Sequence, residues 1–256
     1  MSNDVMVVFG VNSVLEKLRA SSNEILEILI ADGTGRAALR QIVEEAKRYG
    51  LRVVRADAQL LDRLASGQRH QGVVARVKAF AYLPFDELLQ EVARTTAPNW
   101  VLILDGLTDP RNFGALMRSA EAVGLHHVII PKDRSAEVTP VVLKASAGAA
   151  HYLKISKVTN VRRTIGELKD HGYWTVGLDS QSRDSIYDTA YPGRLAIVLG
   201  GEGRGVRPIN LKECDFVVSI PMVGKITSLN VAVAGAVFLY ELLRQQRRTK
   251  KTDDDP

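Results

Sequence analysis

The stretch SIPMVGKITSLNVAVAGAVFLYELL (219–243), together with LAIVLGGEGRGV (195–206) just before it, decides the fold of this chain. Each begins as an apolar strand and runs into a polar loop that carries glycine. The second loop opens a helix of small apolar residues, and the pattern starts that helix near Ser228. Loops of this kind present backbone N–H and C=O groups close together, which suits them to grip a flat, polar small molecule.

Working outward, strand and helix patterns alternate from Trp100 onward: strand 100–104, helix 114–123, strand 126–130, helix around 140–147, strand 152–156, helix 161–171 and strand 174–178. Such alternation implies an α/β domain built on a mainly parallel sheet covered on both faces. The first eighty residues form a smaller α/β unit. Val11, Val14, Leu15 and Leu18 recur at helical spacing within 8–20, and 27–31 reads as a strand. An amphipathic helix at 36–50 ends on Gly50; strand 51–56, short helix 58–66 and strand 72–80 follow. Pro84, Pro98 and Asn99 around a short helix at 85–95 mark 81–99 as a linker. The expected domains are thus 1–80 and 100–245, with a disordered tail at 246–256 that lacks apolar periodicity.

Bulk properties exclude several classes. The 256 residues are 46% hydrophobic and 25% charged, enough for a substantial core, and the formal net charge of +5 is mildly basic. That balance favours a polyanionic partner only modestly. Cys214 is the single cysteine, so no intrachain disulfide forms, and a buried, inert thiol is expected. The first ten residues lack a signal-peptide core, and the longest nonpolar run, 231–243, falls short of the ~20 residues that span a bilayer. A cytoplasmic protein is expected. Gly201, Gly203 and Gly205 fail the dinucleotide pattern because Val206 stands where its last glycine belongs. Gly224-Lys225 fails the phosphate-loop pattern, Ser146 lies outside any nucleophile elbow, and the five histidines show no metal-ligand spacing. No metal is expected.

Three motifs carry a family resemblance. DPRNFGALMRSAEAVG (109–124) holds N-x-G-x-x-x-R-x-A as Asn112, Gly114, Arg118 and Ala120; LGGEGRGV places Glu202 between glycines; IPMVGKITSLNVAVAG holds Ile220-Pro221 and Ser228-Leu229-Asn230. In this order, on this strand–helix frame, residues 100–245 resemble the SpoU (SPOUT-class) RNA ribose methyltransferases. GVNSVLEKL (10–18) and His70-Gln71-Gly72 are similar to the ribosomal-protein-like substrate-binding domain of one SpoU branch, which includes the bacterial enzyme acting on a guanosine of 23S rRNA. The resemblance implies a deep trefoil knot, S-adenosylmethionine bound bent in the knot loops, no metal, and a homodimer with active sites at the subunit interface.

It also implies roles for residues. Gly200, Gly201, Ile220, Met222 and Leu229 would hold the adenosyl group through their backbone. Arg118 would either fix the RNA phosphate beside the target ribose or, with that phosphate, accept the proton. Asn112 would orient Arg118 or the ribose, unless it is only a helix cap; Glu202 would hold Arg118 or the ribose. Ser228 is equally an N-cap or a ribose contact, and Asn230, in the first turn of the last helix, reaches RNA or the partner subunit. In the first domain Arg69, His70 and Gln71 lie on an RNA-facing loop, and Arg76 and Lys78 share a strand face that suits phosphate or solvent equally. The function expected is 2′-O-methylation of a guanosine in 23S rRNA. The alternatives are a tRNA ribose methyltransferase and a non-catalytic RNA-binding or ribosome-assembly protein of the same fold.

Overall fold

A computed structural model describes residues 5–32, 37–95 and 99–253. The chain forms two compact units, one of Met1–Ala81 with Glu137–Tyr152, the other of Tyr82–Ala136 with Leu153–Pro256.

The first unit is a four-stranded sheet, β1 (Val5–Phe9), β2 (Ile25–Ala31), β3 (Val53–Ala56) and β4 (Val73–Lys78), in the order β1-β4-β2-β3. β4 pairs antiparallel with β1 and β2, and β2 runs parallel to β3. Helices α1 (Val11–Ser21), α2 (Ala37–Arg48) and α3 (Ala58–Leu64) accompany it. The helical spacing expected over 8–20 is corrected here: Val8 and Phe9 end a strand, Gly10 turns the chain at φ 93°, and the helix starts at Val11. Val8 and Phe9 suit a strand facing a core as well as a helix stripe, so apolar spacing alone did not separate them. Gly50, at φ 66°, ends α2 as expected, the Leu51 N–H returning to the Ala46 carbonyl at 2.9 Å.

The second unit opens with α4 (Phe85–Arg94), inside the stretch read as a linker. Leu88 and Val92, four residues apart, are fully buried in its core with Val101, Ile103 and Val198. The segment is therefore part of this unit rather than a free connector; Pro98 lies outside the described residues. Six strands follow in parallel pairs: β5 (Asn99–Asp105), β6 (His127–Pro131), β7 (Lys154–Val158), β8 (Trp174–Leu178), β9 (Arg194–Gly200) and β10 (Phe216–Val218), ordered β10-β8-β9-β5-β6-β7. All seven residues of β5 are buried, as a central parallel strand requires. α5 (Pro110–Ala122), α7 (Val161–Asp170), short α8 (Pro208–Leu211) and α9 (Val231–Asp253) complete the unit, whereas α6 (Pro140–Ala145) belongs to the first.

Small residues in α9 serve close packing. A Cβ on Gly235 would stand 2.5 Å from Leu116 Cδ1 of α5 and 2.8 Å from Leu199 Cδ1 of β9. The disordered tail expected from residue 246 is corrected: α9 continues to Asp253, and 254–256 lie outside the described residues. Arg, Gln and Lys are good helix formers, and extending an already nucleated helix costs little. Just before the extension, buried Glu241 accepts from Arg244 and Gln245 and holds the last turns of the packed part of the helix together.

Candidate active site

In open α/β sheets ligands bind beyond the carboxyl ends of the strands. Here a cleft of about 660 Å³ lies at that end of β8 and β9, within the range of small-molecule sites. Gly200, Gly201, Glu202, Ile220, Met222, Ser228, Leu229 and Asn230 all line it.

The glycine loop has its shape by steric necessity. A Cβ on Gly200 would stand 1.8 Å from the Gly205 carbonyl carbon, and one on Gly201 2.2 Å from the Gly106 carbonyl oxygen. Gly203 and Gly205 adopt φ of 77° and 62°, and the Gly205 N–H closes the turn on the Gly201 carbonyl at 3.1 Å. Both ends of the turn are anchored by Asp105, the last residue of β5, which the sequence reading missed. Its backbone carbonyl accepts from the Gly201 N–H at 3.1 Å. Its buried carboxylate accepts from the Arg207 N–H (2.9 Å), Arg207 Nε (2.7 Å) and Asn210 Nδ2 (2.7 Å). Its signal is an acid ending an apolar strand immediately before a glycine.

Three motif residues meet beside this loop. Asn112 Nδ2 donates to Glu202 Oε1 at 2.6 Å, and Asn230 Nδ2 donates to Asn112 Oδ1 at 3.0 Å. Asn112 is set in the first turn of α5 by Asp109, whose carboxylate caps the Arg111 N–H at 2.8 Å, and by Pro110. Asp109, not Asn112, is thus the cap of α5. Asn230 Oδ1 accepts from the Ala232 N–H at 2.9 Å, so Asn230 caps α9. This corrects the expected start near Ser228 and the placing of Asn230 in the first turn. Ser228 makes no hydrogen bond among the described residues, and its exposed side chain lines the cleft. Leu229, 38% exposed, and half-buried Ile220 are cleft residues rather than core.

Arg118 stands apart. It is exposed on α5, outside the cleft lining, and makes no hydrogen bond or ion pair among the described residues. The lining also includes a segment that no motif covers, Leu178 at the end of β8 and Asp179 to Gln181 after it. Cys214 is half-buried, and burial, with Asp215 beside it, pushes its thiol up to about 12, which leaves it protonated and inert.

In the first unit the His70 ring is committed on both sides: Nδ1 accepts from the Gly72 N–H at 3.2 Å, and Nε2 lies 3.1 Å from Asp62. Gln71, at φ 58°, spends its carbonyl on the Val11 N–H at 3.0 Å, capping α1. Arg69 is exposed, and its carbonyl accepts from Lys144 Nζ at 2.5 Å. Arg76 and Lys78 are both exposed, Arg76 pairing with Glu27 at 3.0 Å. The His-Gln-Gly stretch therefore shapes the turn into β4, while Arg69 and Lys78 present their charge to solvent.

Residues 99–240 match the SpoU rRNA methylase family profile, and residues 7–83 match that of RNA 2′-O ribose methyltransferase substrate binding. The chain belongs to the SpoU family of RNA methyltransferases. It is 42% identical over 246 residues to a Xanthomonas campestris protein named 23S rRNA (guanosine-2′-O-)-methyltransferase RlmB, covering 96% of this chain and 99% of that one. A Shewanella oneidensis protein of the same name is 39% identical over 241 residues, covering 94% of this chain and 98% of that one. Among solved structures, the SpoU methyltransferase AviRb from Streptomyces viridochromogenes, in complex with AdoMet, shares the fold: TM-score 0.79 at 23% identity, covering 96% of this chain and 92% of that one. The α/β sheet of the second unit is thus of the SPOUT type, joined to an N-terminal substrate-binding domain. Among the described residues no helix is long and apolar enough to cross a membrane.

Proposed function

We infer that this SpoU methylase transfers a methyl group from S-adenosylmethionine to the ribose 2′-hydroxyl of a guanosine in 23S rRNA, as a cytoplasmic homodimer. The observation that carries the reading is the hydrogen-bonded chain Glu202–Asn112–Asn230 at the rim of the glycine cleft, which joins all three motifs. The relatives named for the 23S rRNA guanosine reaction, similar over nearly their whole length, supply the substrate.

The cleft suits the donor. Gly200 and Gly201 leave backbone without side chains along one wall, while Ile220, Met222 and Leu229 offer apolar surface with peptide groups between. A purine fits such walls: its faces pack on apolar groups and its edges pair with peptide N–H and C=O. When bound, the donor supplies an electrophilic sulfonium methyl. The protein's contribution is to align the 2′-hydroxyl with it, and well-oriented proximity can supply ~7–11 kcal/mol. Asn112 leaves one Glu202 oxygen without a partner among the described residues, positioned to accept the 2′-hydroxyl, with Ser228 as a second ribose contact.

Arg118, exposed and outside the cleft of its own chain, would act in the cleft of a second copy, fixing the phosphate beside the target ribose. The exposed run 221–230, with Met222, Val223, Ile226 and Leu229, supports a surface covered by donor and partner. Arg69, Arg76 and Lys78 would hold the RNA through phosphates.

Mass-spectrometric mapping of ribose methylation in RNA from cells lacking this protein tests the reading. Loss of one 2′-O-methylguanosine from 23S rRNA, restored by the wild-type chain and not by Arg118→Ala, is the expected result. Loss from tRNA instead would move the substrate, and no loss from any RNA would leave a binding protein.

A further inference from the structure

The cleft contains a second carboxylate, Asp179, which none of the three motifs covers. β8 runs parallel to β9 as far as Gly177, level with Val198, and Asp179, directly after β8, lines the cleft together with Gly200 and Gly201. On its other side the Asp179 N–H donates to the Val218 carbonyl at 2.9 Å, just before the loop that begins at Ser219. The residue is therefore wedged between the two loops that line the cleft.

Its carboxylate is held rather than free to swing. Oδ1 accepts from the Gln181 N–H at 3.0 Å, and the Asp179 carbonyl accepts from the Ser182 N–H at 3.1 Å. Ser182 Oγ is in turn anchored on the Val217 carbonyl at 2.7 Å. Oδ2 has no partner among the described residues, and the side chain is half-buried on the cleft wall. A half-buried carboxylate with a vacant oxygen calls for hydrogen-bond donors. An acid at the end of a parallel strand is well placed to take the vicinal hydroxyls of a nucleoside, which carry two adjacent donors.

We propose that Asp179 is a specificity-determining residue of the cleft, its vacant oxygen accepting the vicinal ribose hydroxyls of the methyl donor. The proposal rests on the cofactor reading above. It assigns the C-terminal end of β8 to the donor's sugar, and leaves Glu202, on the loop after β9, for the RNA ribose.

Calorimetric titration of the full-length protein with S-adenosylhomocysteine, and with its 2′,3′-dideoxyribose counterpart, tests it. Wild type is expected to bind the dideoxy compound roughly 10- to 100-fold more weakly, as for loss of a charge-assisted hydrogen bond. Asp179→Ala should lose a similar factor for the natural compound and little for the dideoxy one. Asp179→Asn keeps an acceptor for the Gln181 N–H and serves as the folded control, with an intermediate loss. Equal weakening of both compounds in both variants would overturn the assignment, because damage to the turn does not discriminate between sugars. So would variants that bind both compounds as wild type does. If wild type binds neither compound nor S-adenosylmethionine, the cofactor reading itself falls, and this inference with it.

Discussion

Asn112 Nδ2 donates to Glu202 Oε1 at 2.6 Å, bringing residues ninety positions apart into one charge-assisted hydrogen bond. Asn112 accepts from Asn230 through its other amide atom, so a single side chain links the first motif to the second and third. Asn112→Ala would release Glu202 into solvent while leaving α5 capped by Asp109. We expect kcat to fall about 100-fold or more, the size of loss seen when one preorganised polar group leaves an active site. The Tm should barely move. Asn112→Asp should be no better, since it sets a second carboxylate against Glu202. Steady-state kinetics on both variants checks this, and wild-type kcat in Asn112→Ala would remove the linkage from the mechanism.

The glycines of the second motif are not interchangeable with one another or with other loop glycines. Gly200→Ala puts a methyl 1.8 Å from Gly205 backbone, and Gly201→Ala puts one 2.2 Å from the Gly106 carbonyl. Backbone cannot rotate out of the way as a side chain can. Each substitution should destabilise by at least about 1–3 kcal/mol and weaken donor binding. Gly224→Ala meets nothing within 4 Å and should stay within about 0.5 kcal/mol of wild type. Urea unfolding midpoints separate the two cases, and equal midpoints for Gly200→Ala and wild type would refute the steric argument.

Much of this architecture is legible from local pattern, because strands of the second unit are short apolar runs bounded by turns. What the pattern misreads is settled by contacts distant in sequence. Thr227, Ser228 and Asn230 are all chemically fit to cap the last helix. The choice falls on Asn230, whose Nδ2 also reaches Asn112, 118 residues away. Asp105 and Asp179 look like ordinary strand-end acids until 207–210 folds back onto one and the 219 loop passes the other. α4 reads as a connector because its prolines are local while the core that buries Leu88 and Val92 is not. The threaded knot implied by the family resemblance is likewise a property of the chain's path, for which no residue pattern codes.

Asp105 is expected to hold the glycine loop in place more through hydrogen bonds than through its ion pair. The Arg207 side chain is 57% exposed, which screens its charge in part, while the Asp105 carboxylate it pairs with is fully buried. The Asn210 side chain is buried, and Asp105→Ala would leave its amide without an acceptor. A loss of about 2–4 kcal/mol follows. Arg207→Met, which leaves the buried carboxylate its bonds from the Arg207 N–H and Asn210, should cost less, about 1–2 kcal/mol. Chemical denaturation of both variants checks the ranking, and a larger loss for Arg207→Met would reverse the account.

His151 gives the first unit an acid sensitivity whose direction is fixed by its surroundings. Its Nε2 is sealed from solvent with no partner among the described residues, and burial, with nearby Lys17, pushes the imidazole down to about 3. The unfolded chain binds a proton at this residue below about pH 6.5, whereas the folded chain does not until near pH 3. The contribution is therefore whole above pH 6.5 and is lost progressively as the pH falls toward 3. His151→Phe keeps a flat ring and removes both the titration and the orphaned nitrogen. We expect thermal melts to show wild type and variant within a few degrees of each other at pH 7.5, the variant no less stable. At pH 4.5 wild type should have lost more of its Tm than His151→Phe. Parallel losses in the two proteins would place the acid sensitivity elsewhere, in carboxylates such as Glu24 or Glu27 that pair with cations in the same unit.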